Sequence, residues 1–271
     1  MTERQQVEKE VSRRSSPPGR IVYRAILKEG EDELSRPSSA LFWSGLAAGL
    51  SMGFSMITEG LLRAYLPDVP WRPLVSKFGY SMGFLIVILG RQQLFTENTL
   101  TPILPLLLHR DRRTLGNVIR LWGMVLLANL AGAMGVAWVA ANTNAFSPDI
   151  REAFRQLGQA AMVHGFGTVV LRGIFAGWLI ALMVWLLPFA EVARVWVIIF
   201  LTYLVGLGGF PHIIAGAVDV FALAASGDKS WGEVWAMYVL PTFIGNVIGG
   251  VTLVAALNHA QVVAGSSTED L

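Results

Sequence analysis

The sequence predicts an all-α integral membrane protein in which six transmembrane helices form an inverted repeat of three plus three. Three observations predict this fold. The chain of 271 residues is 54% hydrophobic and only 15% charged, whereas soluble domains carry about 25% charged residues. Six apolar segments follow one another, each near the roughly 20 residues that a helix needs to cross a bilayer. The second and fifth segments are interrupted at corresponding places, which is typical of an internal duplication.

The first 38 residues form a charged segment ahead of the apolar part. They hold eight basic and seven acidic residues, and Pro17-Pro18-Gly19 interrupts any helix there. No apolar stretch precedes a small-residue cleavage site, so the segment does not have the pattern of a signal peptide. We expect 1–38 to be a charged, partly disordered cytoplasmic tail; a docking or regulatory segment is the alternative.

The first three spans are expected near 40–66, 77–108 and 117–141. The second is too polar in its middle for one plain helix. It is apolar from Phe78 to Leu89, meets the stretch Gly90-Arg91-Gln92-Gln93, and then continues to Leu108. We therefore expect span two to be broken near Thr96.

The last three spans are expected near 160–187, 193–225 and 233–258. The fifth is interrupted by the sequence Gly208-Gly209-Phe210-Pro211-His212. A transmembrane domain over 39–258 and a short C-terminal tail over 259–271 follow from these spans.

Lysine and arginine positions predict the orientation. Six spans place both termini on one side of the membrane. With the N-terminus inside, twelve basic residues fall in the inner segments and five in the outer loops. The positive-inside rule therefore predicts cytoplasmic termini and a multi-pass protein of the plasma (inner) membrane.

Two features of the first three spans recur in the last three spans at nearly the same distance along the chain. Asn129 and Asn246 each begin an N-x-x-G pattern and lie 117 residues apart, and the interruptions at Thr96 and His212 lie 116 residues apart. Because each half has an odd number of spans, the halves insert with opposite topology. Interrupted segments at matching positions of two halves indicate a transport pathway between them.

At these interruptions the sequence resembles the formate–nitrite transporter family. The resemblance rests on Leu94-Phe95-Thr96-Glu97-Asn98-Thr99-Leu100-Thr101, on Gly209-Phe210-Pro211-His212-Ile213-Ile214-Ala215, and on the glycine-rich segment of span one. It implies an aquaporin-like protomer, a homopentamer and one pore in each protomer. It also implies passage of small monovalent anions such as formate or nitrite, with proton transfer at a pore histidine as one option.

The sequence departs from the family pattern at three places. Gly216 replaces the Asn that ends the family's fifth-span motif, and Ala181 replaces a common Asn in span four. His164-Gly165 stands where well-studied members have a lysine. These changes remove polar and cationic groups from the expected path.

The candidate pathway residues lie at the two breaks and beside them. A neutral histidine in a pore can hydrogen-bond an anion or exchange a proton with it; the alternative for the histidine of span five is a packed ring that caps the break. The threonine of span two can supply a hydroxyl, and three apolar side chains can form a dry constriction. The candidates are His212, Thr96, Phe95, Leu94, Phe84 and, as a substitute for the absent lysine, His164.

Four further polar side chains are expected to have structural roles inside the membrane. Glu59 and Arg172 occupy corresponding spans and can pair with each other, and Arg63 is an equally placed partner for Glu59. Asn129 and Asn246 lie among small residues and are expected to bond between helices. Thr99 and Thr101 are possible caps for the second half of span two, next to Pro102.

Other classes of function are less well supported. A channel for water or small neutral solutes is the first alternative, although no N-P-A tripeptide occurs; a membrane protein with no transport role is another. The motifs H-E-x-x-H and Walker A are absent, so we expect no enzyme. With no cysteine, four scattered histidines and a net charge of +2, we expect no metal, no cofactor and no nucleic acid partner. The expected partners are membrane lipid and a small monocarboxylate or other monovalent anion.

Overall fold

The computed structural model describes residues 18–265, and this part of the chain is helical without strands. Residues 1–17 and 266–271 of the two predicted tails lie outside it. The helices, in chain order, are α1 (Gly19–Ser35), α2 (Ser38–Tyr65), α3 (Arg72–Leu89), α4 (Ile103–His109), α5 (Arg112–Asn142), α6 (Pro148–Ala161), α7 (Phe166–Phe189), α8 (Glu191–Gly208), α9 (Ala215–Ser226) and α10 (Trp231–Gly265).

Six of these helices are long and apolar enough to cross a membrane, namely α2, α3, α5, α7, α8 and α10. The short helices α4 and α9 complete spans two and five beyond the breaks. The six predicted spans and both interruptions are therefore confirmed. Span four begins at Phe166, later than expected, because the residues before it form the separate helix α6.

The two repeats use the same helix pairing. α2 packs along α5 in the first repeat, and α7 packs along α10 in the second. Glycines permit the close approach: a Cβ at Gly49 would collide with the backbone of Asn129, and one at Gly177 would collide with the backbone of Asn246. Small residues at such interfaces let helix backbones meet where lipid supplies no hydrophobic driving force.

The two faces of the protein are defined by their contacts. On one, here called the terminal face, Tyr23 of α1 hydrogen-bonds His259 near the end of α10 at 2.7 Å. On the other, called the opposite face, the end of α5 meets the end of α9, where Asn142 Nδ2 donates to the carbonyl of Ala225 at 3.3 Å. α9 therefore runs from the break in span five to the opposite face.

The structure differs from the expected tails at both ends. Within 1–38, residues 19–35 form α1, whose Tyr23, Ile26 and Leu34 are buried against the bundle. Arg120 fixes its end by donating to the Leu34 carbonyl at 2.8 Å. The apolar residues recur every three to eight positions, and the many charges between them hide this stripe. The predicted C-terminal tail is helical as far as Gly265.

The amphipathic helix α6 was not predicted. It covers the opposite face and buries Ile150, Phe154 and Leu157 against α9 and α2. A search for long apolar runs passes over such a helix because only one of its faces is apolar.

Candidate functional site

The two breaks meet in the interior of the protein. Thr96 Oγ1 and His212 Nε2 lie 2.8 Å apart although 116 residues separate them in the chain. Both residues are fully buried. The two residues that mark the breaks in the sequence thus form one contact where the two repeats join.

The hydrogen bonds of the imidazole fix its tautomer. His212 Nδ1 accepts from the backbone N–H of Ala215 at 3.1 Å and from that of Ile214 at 3.3 Å. Nδ1 therefore carries no hydrogen in this arrangement, and the hydrogen of the neutral ring lies on Nε2. Nε2–H donates to Thr96, whose own hydroxyl hydrogen is left to donate elsewhere. The same ring thus caps α9 and presents a donor to the centre of the protein.

Two asparagines hold the breaks in equivalent ways. Asn129 Oδ1 accepts from Phe95 N at 2.9 Å, and its Nδ2 donates to the carbonyls of Gly45 at 2.7 Å and Gln93 at 2.9 Å. Unwound backbone inside a membrane requires such partners, because no water is present to supply them.

Asn246 repeats this pattern in the second half. Its Oδ1 accepts from Ile213 N at 2.9 Å, and its Nδ2 donates to the carbonyls of Gly173 and Pro211, both at 2.9 Å. Each asparagine joins a neighbouring helix to a break, as the small residues around them indicated.

Apolar rings surround the polar pair. Phe84 meets the His212 ring edge-on with centroids 4.9 Å apart, and Phe95 stacks on Phe243 at 5.5 Å. Leu94, Phe95 and Phe84 are all fully buried. Their role as a dry constriction stays a prediction.

The predicted threonine caps of α4 are wrong. Pro102 precedes α4 and no side chain caps this helix. Thr99 Oγ1 instead donates to the Thr96 carbonyl at 2.7 Å, and Thr101 Oγ1 donates to Glu33 of α1 at 2.8 Å. Both hydroxyls stabilise the fold of the break itself, which the sequence did not resolve.

The predicted pairing of Glu59 is also wrong. Neither Arg172 nor Arg63 is its ion-pair partner; Glu59 pairs with Lys77 at 2.5 Å, at the start of span two. Arg63 donates to Gln156 of α6 at 3.0 Å. The sequence placed Lys77 in a loop, so its approach to span one was missed.

Arg172 has a different role from the one expected. It donates to the carbonyl of Gly208 at 2.7 Å and to that of Gly209 at 3.1 Å. Gly209 ends α8 with φ of +55°, a left-handed conformation that glycine adopts without steric penalty. The guanidinium therefore satisfies carbonyl groups that the broken helix leaves without partners.

The positions that depart from the family pattern lie apart from one another. His164 is in the turn before α7, towards the opposite face, and its role in the pathway stays a prediction. Ala181 is fully buried. A Cβ at Gly216 would collide with the Tyr238 hydroxyl, so a tyrosine from α10 occupies the space that a side chain at 216 would take.

A cavity of about 620 Å³ opens at the terminal face between α1 and the break of span two. Glu33 lies in its wall and accepts from Gln93 Nε2 at 2.9 Å and Thr101 Oγ1 at 2.8 Å. Burial raises the pKa of Glu33 more than these hydrogen bonds lower it. The sequence did not single out Glu33 or Gln93, although the hidden apolar stripe of α1 indicates that this helix docks.

The described residues contain no group of three or more histidine, cysteine and acidic side chains that could hold a metal ion. The chemistry of the centre is therefore that of hydroxyl, imidazole and amide groups in apolar surroundings. Such a site is suited to hydrogen-bonding a small solute.

Comparisons with known proteins agree with this arrangement. Residues 20–260 match the family model of the formate/nitrite transporter. The chain is 41% identical to inner membrane protein YfdC of Escherichia coli over 241 residues, which cover 89% of this chain and 78% of that protein. It is 24% identical to the formate channel BtFdhC of Bacillus thuringiensis over 84% of this chain and 89% of that protein.

Two solved structures share the fold. A pentameric formate channel with formate bound matches with a TM-score of 0.71 at 19% identity, over 84% of this chain and 98% of that one. An ion channel of the same family matches with a TM-score of 0.75 at 18% identity, over 91% of this chain and 99% of that one. The family match covers most of the chain, and this multi-pass membrane protein belongs to the formate/nitrite transporter family.

Proposed function

We propose that this protein conducts small monovalent anions, or their neutral acids, across the membrane through a pathway that passes the Thr96–His212 pair. That pair carries the proposal, because it places two hydrogen-bond donors where both broken spans meet. The family match and the similarity to a formate channel support the substrate class.

The hydrogen-bond donors of Thr96 and His212 can offset part of the free energy that an anion loses when it leaves water. An anion that leaves water for apolar surroundings loses hydration worth several kcal/mol or more. The free hydrogen of Thr96 can donate to the anion directly, and His212 Nε2–H can do so when it leaves Thr96. Proton transfer through Nδ1 requires the ring to release the N–H groups of Ile214 and Ala215, so hydrogen bonding is the first role of this histidine.

The proposal includes assembly and orientation. A homopentamer is supported by the pentameric structure that shares the fold. The inner membrane is supported by the name of the Escherichia coli relative, and cytoplasmic termini by the excess of basic residues on the terminal face. Transport without a catalysed reaction accounts for the site as described.

Flux into liposomes tests the proposal. The purified protein is reconstituted and given formate, nitrite, acetate, lactate and hydrosulfide at two pH values. Thr96→Val keeps the shape of the side chain and removes its hydroxyl, so we expect flux to fall by roughly 10- to 100-fold for the lost hydrogen bond. Thr202→Val is the matched control, because the buried Thr202 hydroxyl donates within its own helix to Ile198 at 2.6 Å.

His212→Phe should reduce flux at least as strongly while the oligomer remains intact on size-exclusion chromatography. Flux of every tested anion at the parent rate in both variants would place the pathway elsewhere. Water permeability without anion flux in the parent protein would instead favour a neutral-solute channel.

A further inference from the structure

Arg172 carries a positive charge into the membrane that its own protomer does not balance. It lies beyond the start of α7 at Phe166, about 9 Å along the helix axis. Among residues 18–265 no acidic side chain pairs with it, and its hydrogen-bond partners are the carbonyls of Gly208 and Gly209. The ring centroid of Phe210 lies 5.9 Å from its Cζ. Carbonyl groups and a ring stabilise the guanidinium, but they leave its net charge uncompensated.

The guanidinium is also incompletely hydrogen-bonded. Both of its hydrogen bonds start at Nη2. Nε is buried and makes no hydrogen bond in the part of the chain described. Nη1 makes none there either, and it is the nitrogen that reaches the partly exposed side of Arg172. Because arginine presents its N–H donors in a planar fork, an acceptor from outside the protomer can bind Nη1 while Nη2 keeps its carbonyl partners.

The surface around Arg172 is apolar, and we call it the α7–α8 seam. It consists of the outward sides of α7 and α8 beside Arg172, where Leu171 is 64% exposed, Phe175 48% and Leu207 40%. Phe166, which lies closer to the opposite face than Arg172 does, is 41% exposed. Arg172 therefore lies within the apolar band of the protein and not at its edge.

Lipid does not suit this seam as a covering. A charged side chain that faces hydrocarbon is costly, and intramembrane arginines face protein or water or pair with other groups. Arginines near a helix end can extend to the membrane surface, but Arg172 is held at the break by its two carbonyl bonds. In a ring of identical protomers, each copy meets a neighbour on either side. A neighbouring copy can cover apolar side chains and supply a polar acceptor at the same place.

We propose that the α7–α8 seam is a contact surface for a neighbouring copy of this chain, and that this copy supplies the acceptor that Nη1 of Arg172 lacks. The inference rests on the proposed function, which includes the homopentamer. Arg172 then links two protomers, because Nη2 holds the break of span five in its own protomer and Nη1 bonds the neighbour. Gly209 precedes His212 closely in the same break, so assembly of the oligomer helps to hold the backbone beside the central pair.

Photochemical cross-linking tests what covers the seam. The chain contains no cysteine, so Phe175→Cys gives a single site for a benzophenone label. Illumination of the labelled full-length protein in liposomes should yield covalent dimers and larger oligomers on denaturing gels. The same labelled protein illuminated after dispersal in SDS is the control and should stay monomeric. Adducts with lipid alone would overturn the proposal, because lipid would then cover the seam.

Arg172→Gln tests the link itself, since it removes the charge and the planar fork. The lifetime of the oligomer in mild detergent, followed by size-exclusion chromatography after dilution, should shorten by roughly tenfold or more, as expected for one lost hydrogen bond to a charged group. Formate flux in liposomes made from the remaining oligomer should fall by roughly tenfold as well, because the break has lost a partner.

Arg120→Gln is the matched control for the oligomer lifetime. Arg120 is also partly buried and donates to backbone carbonyls, but its Nη1 and Nη2 both bond within the protomer, to Arg36, Ser38 and Leu34. This variant should therefore dissociate at the parent rate.

The outcomes separate this inference from the proposed function. Formate flux in the parent, with an Arg172→Gln oligomer that lasts as long as the parent's, would overturn the link and leave the proposed function standing. Faster dissociation with parent flux would overturn the effect on the break. If Arg172→Gln does not fold, the cross-link decides, because that protein keeps the native arginine. Cross-linked oligomers of a parent that conducts no tested anion would support this inference and overturn the proposed transport.

Discussion

Asn129→Ala tests whether one side chain holds the break of span two. The variant removes an acceptor from the Phe95 N–H and a donor from the carbonyls of Gly45 and Gln93, all buried. A buried N–H without a partner costs about 1–3 kcal/mol, and each further hydrogen bond contributes about 1 kcal/mol. We therefore expect a loss of roughly 3 kcal/mol in the free energy of unfolding.

Thermal unfolding in detergent, followed by tryptophan fluorescence, measures this loss. For a protein of this size, each kcal/mol lowers Tm by about 2–4 °C, so Asn129→Ala should melt roughly 6–12 °C below the parent. Asn246→Ala should do the same, because its hydrogen bonds are equivalent. All variants are compared at one scan rate, since membrane oligomers unfold irreversibly.

Two asparagines on the same helices are matched controls. Asn142 is exposed at the end of α5, and Asn258 donates only to Val254 within α10 at 2.9 Å. Alanine at either position should change Tm by no more than a few degrees. Equal Tm values for Asn129→Ala and Asn142→Ala would refute the reasoning, and a loss at Asn129 but not at Asn246 would refute the energetic equivalence of the two repeats.

Three further outcomes are expected. Gly216→Ala should lower stability by about 1–3 kcal/mol through overpacking against the Tyr238 hydroxyl, and adding Tyr238→Phe should restore part of the loss of Tm. Gly209→Ala should cost about 1–2 kcal/mol because its backbone is left-handed; an unchanged Tm would contradict this. Since burial raises the pKa of Glu33, its stabilising contribution is full below the ordinary glutamate pKa and is lost as pH rises through the raised value. Amide exchange in α1, corrected for the intrinsic rate, should therefore increase with pH in the parent and much less in Glu33→Gln.

The sequence predicted the features that depend on local composition. Six apolar runs and two interruptions were enough to predict the six spans and the two breaks. The shared separation of about 117 residues was enough to predict the internal duplication. Thr96 and His212 could be brought together because the repeat places them at equivalent points of two inverted halves. The equivalent asparagines followed from the same offset.

What the sequence could not predict depends on contacts between distant elements. The partner of Glu59 is Lys77, which lies near the end of an apolar run and reads as a loop residue until the turn between spans one and two is built. In the sequence Arg172 looks like an unpaired charge, because its partners are backbone carbonyl groups, which every residue has and which no residue type identifies. Tyr238 was not singled out because a glycine at 216 does not reveal which side chain fills its space.

The sequence separations of the hydrogen bonds have a consequence for the order of membrane insertion. Asn129 reaches back 36 residues to Gln93, and Asn246 reaches back 35 residues to Pro211. Each repeat can therefore close its own break as soon as its third span has entered the bilayer. The Thr96–His212 contact spans 116 residues and the Tyr23–His259 contact 236, so both wait for the second repeat. A ribosome-bound chain that ends after α5 should already have its first break closed and α1 held by Gln93, Thr101 and Arg120, and the contact of α1 with α10 should form last.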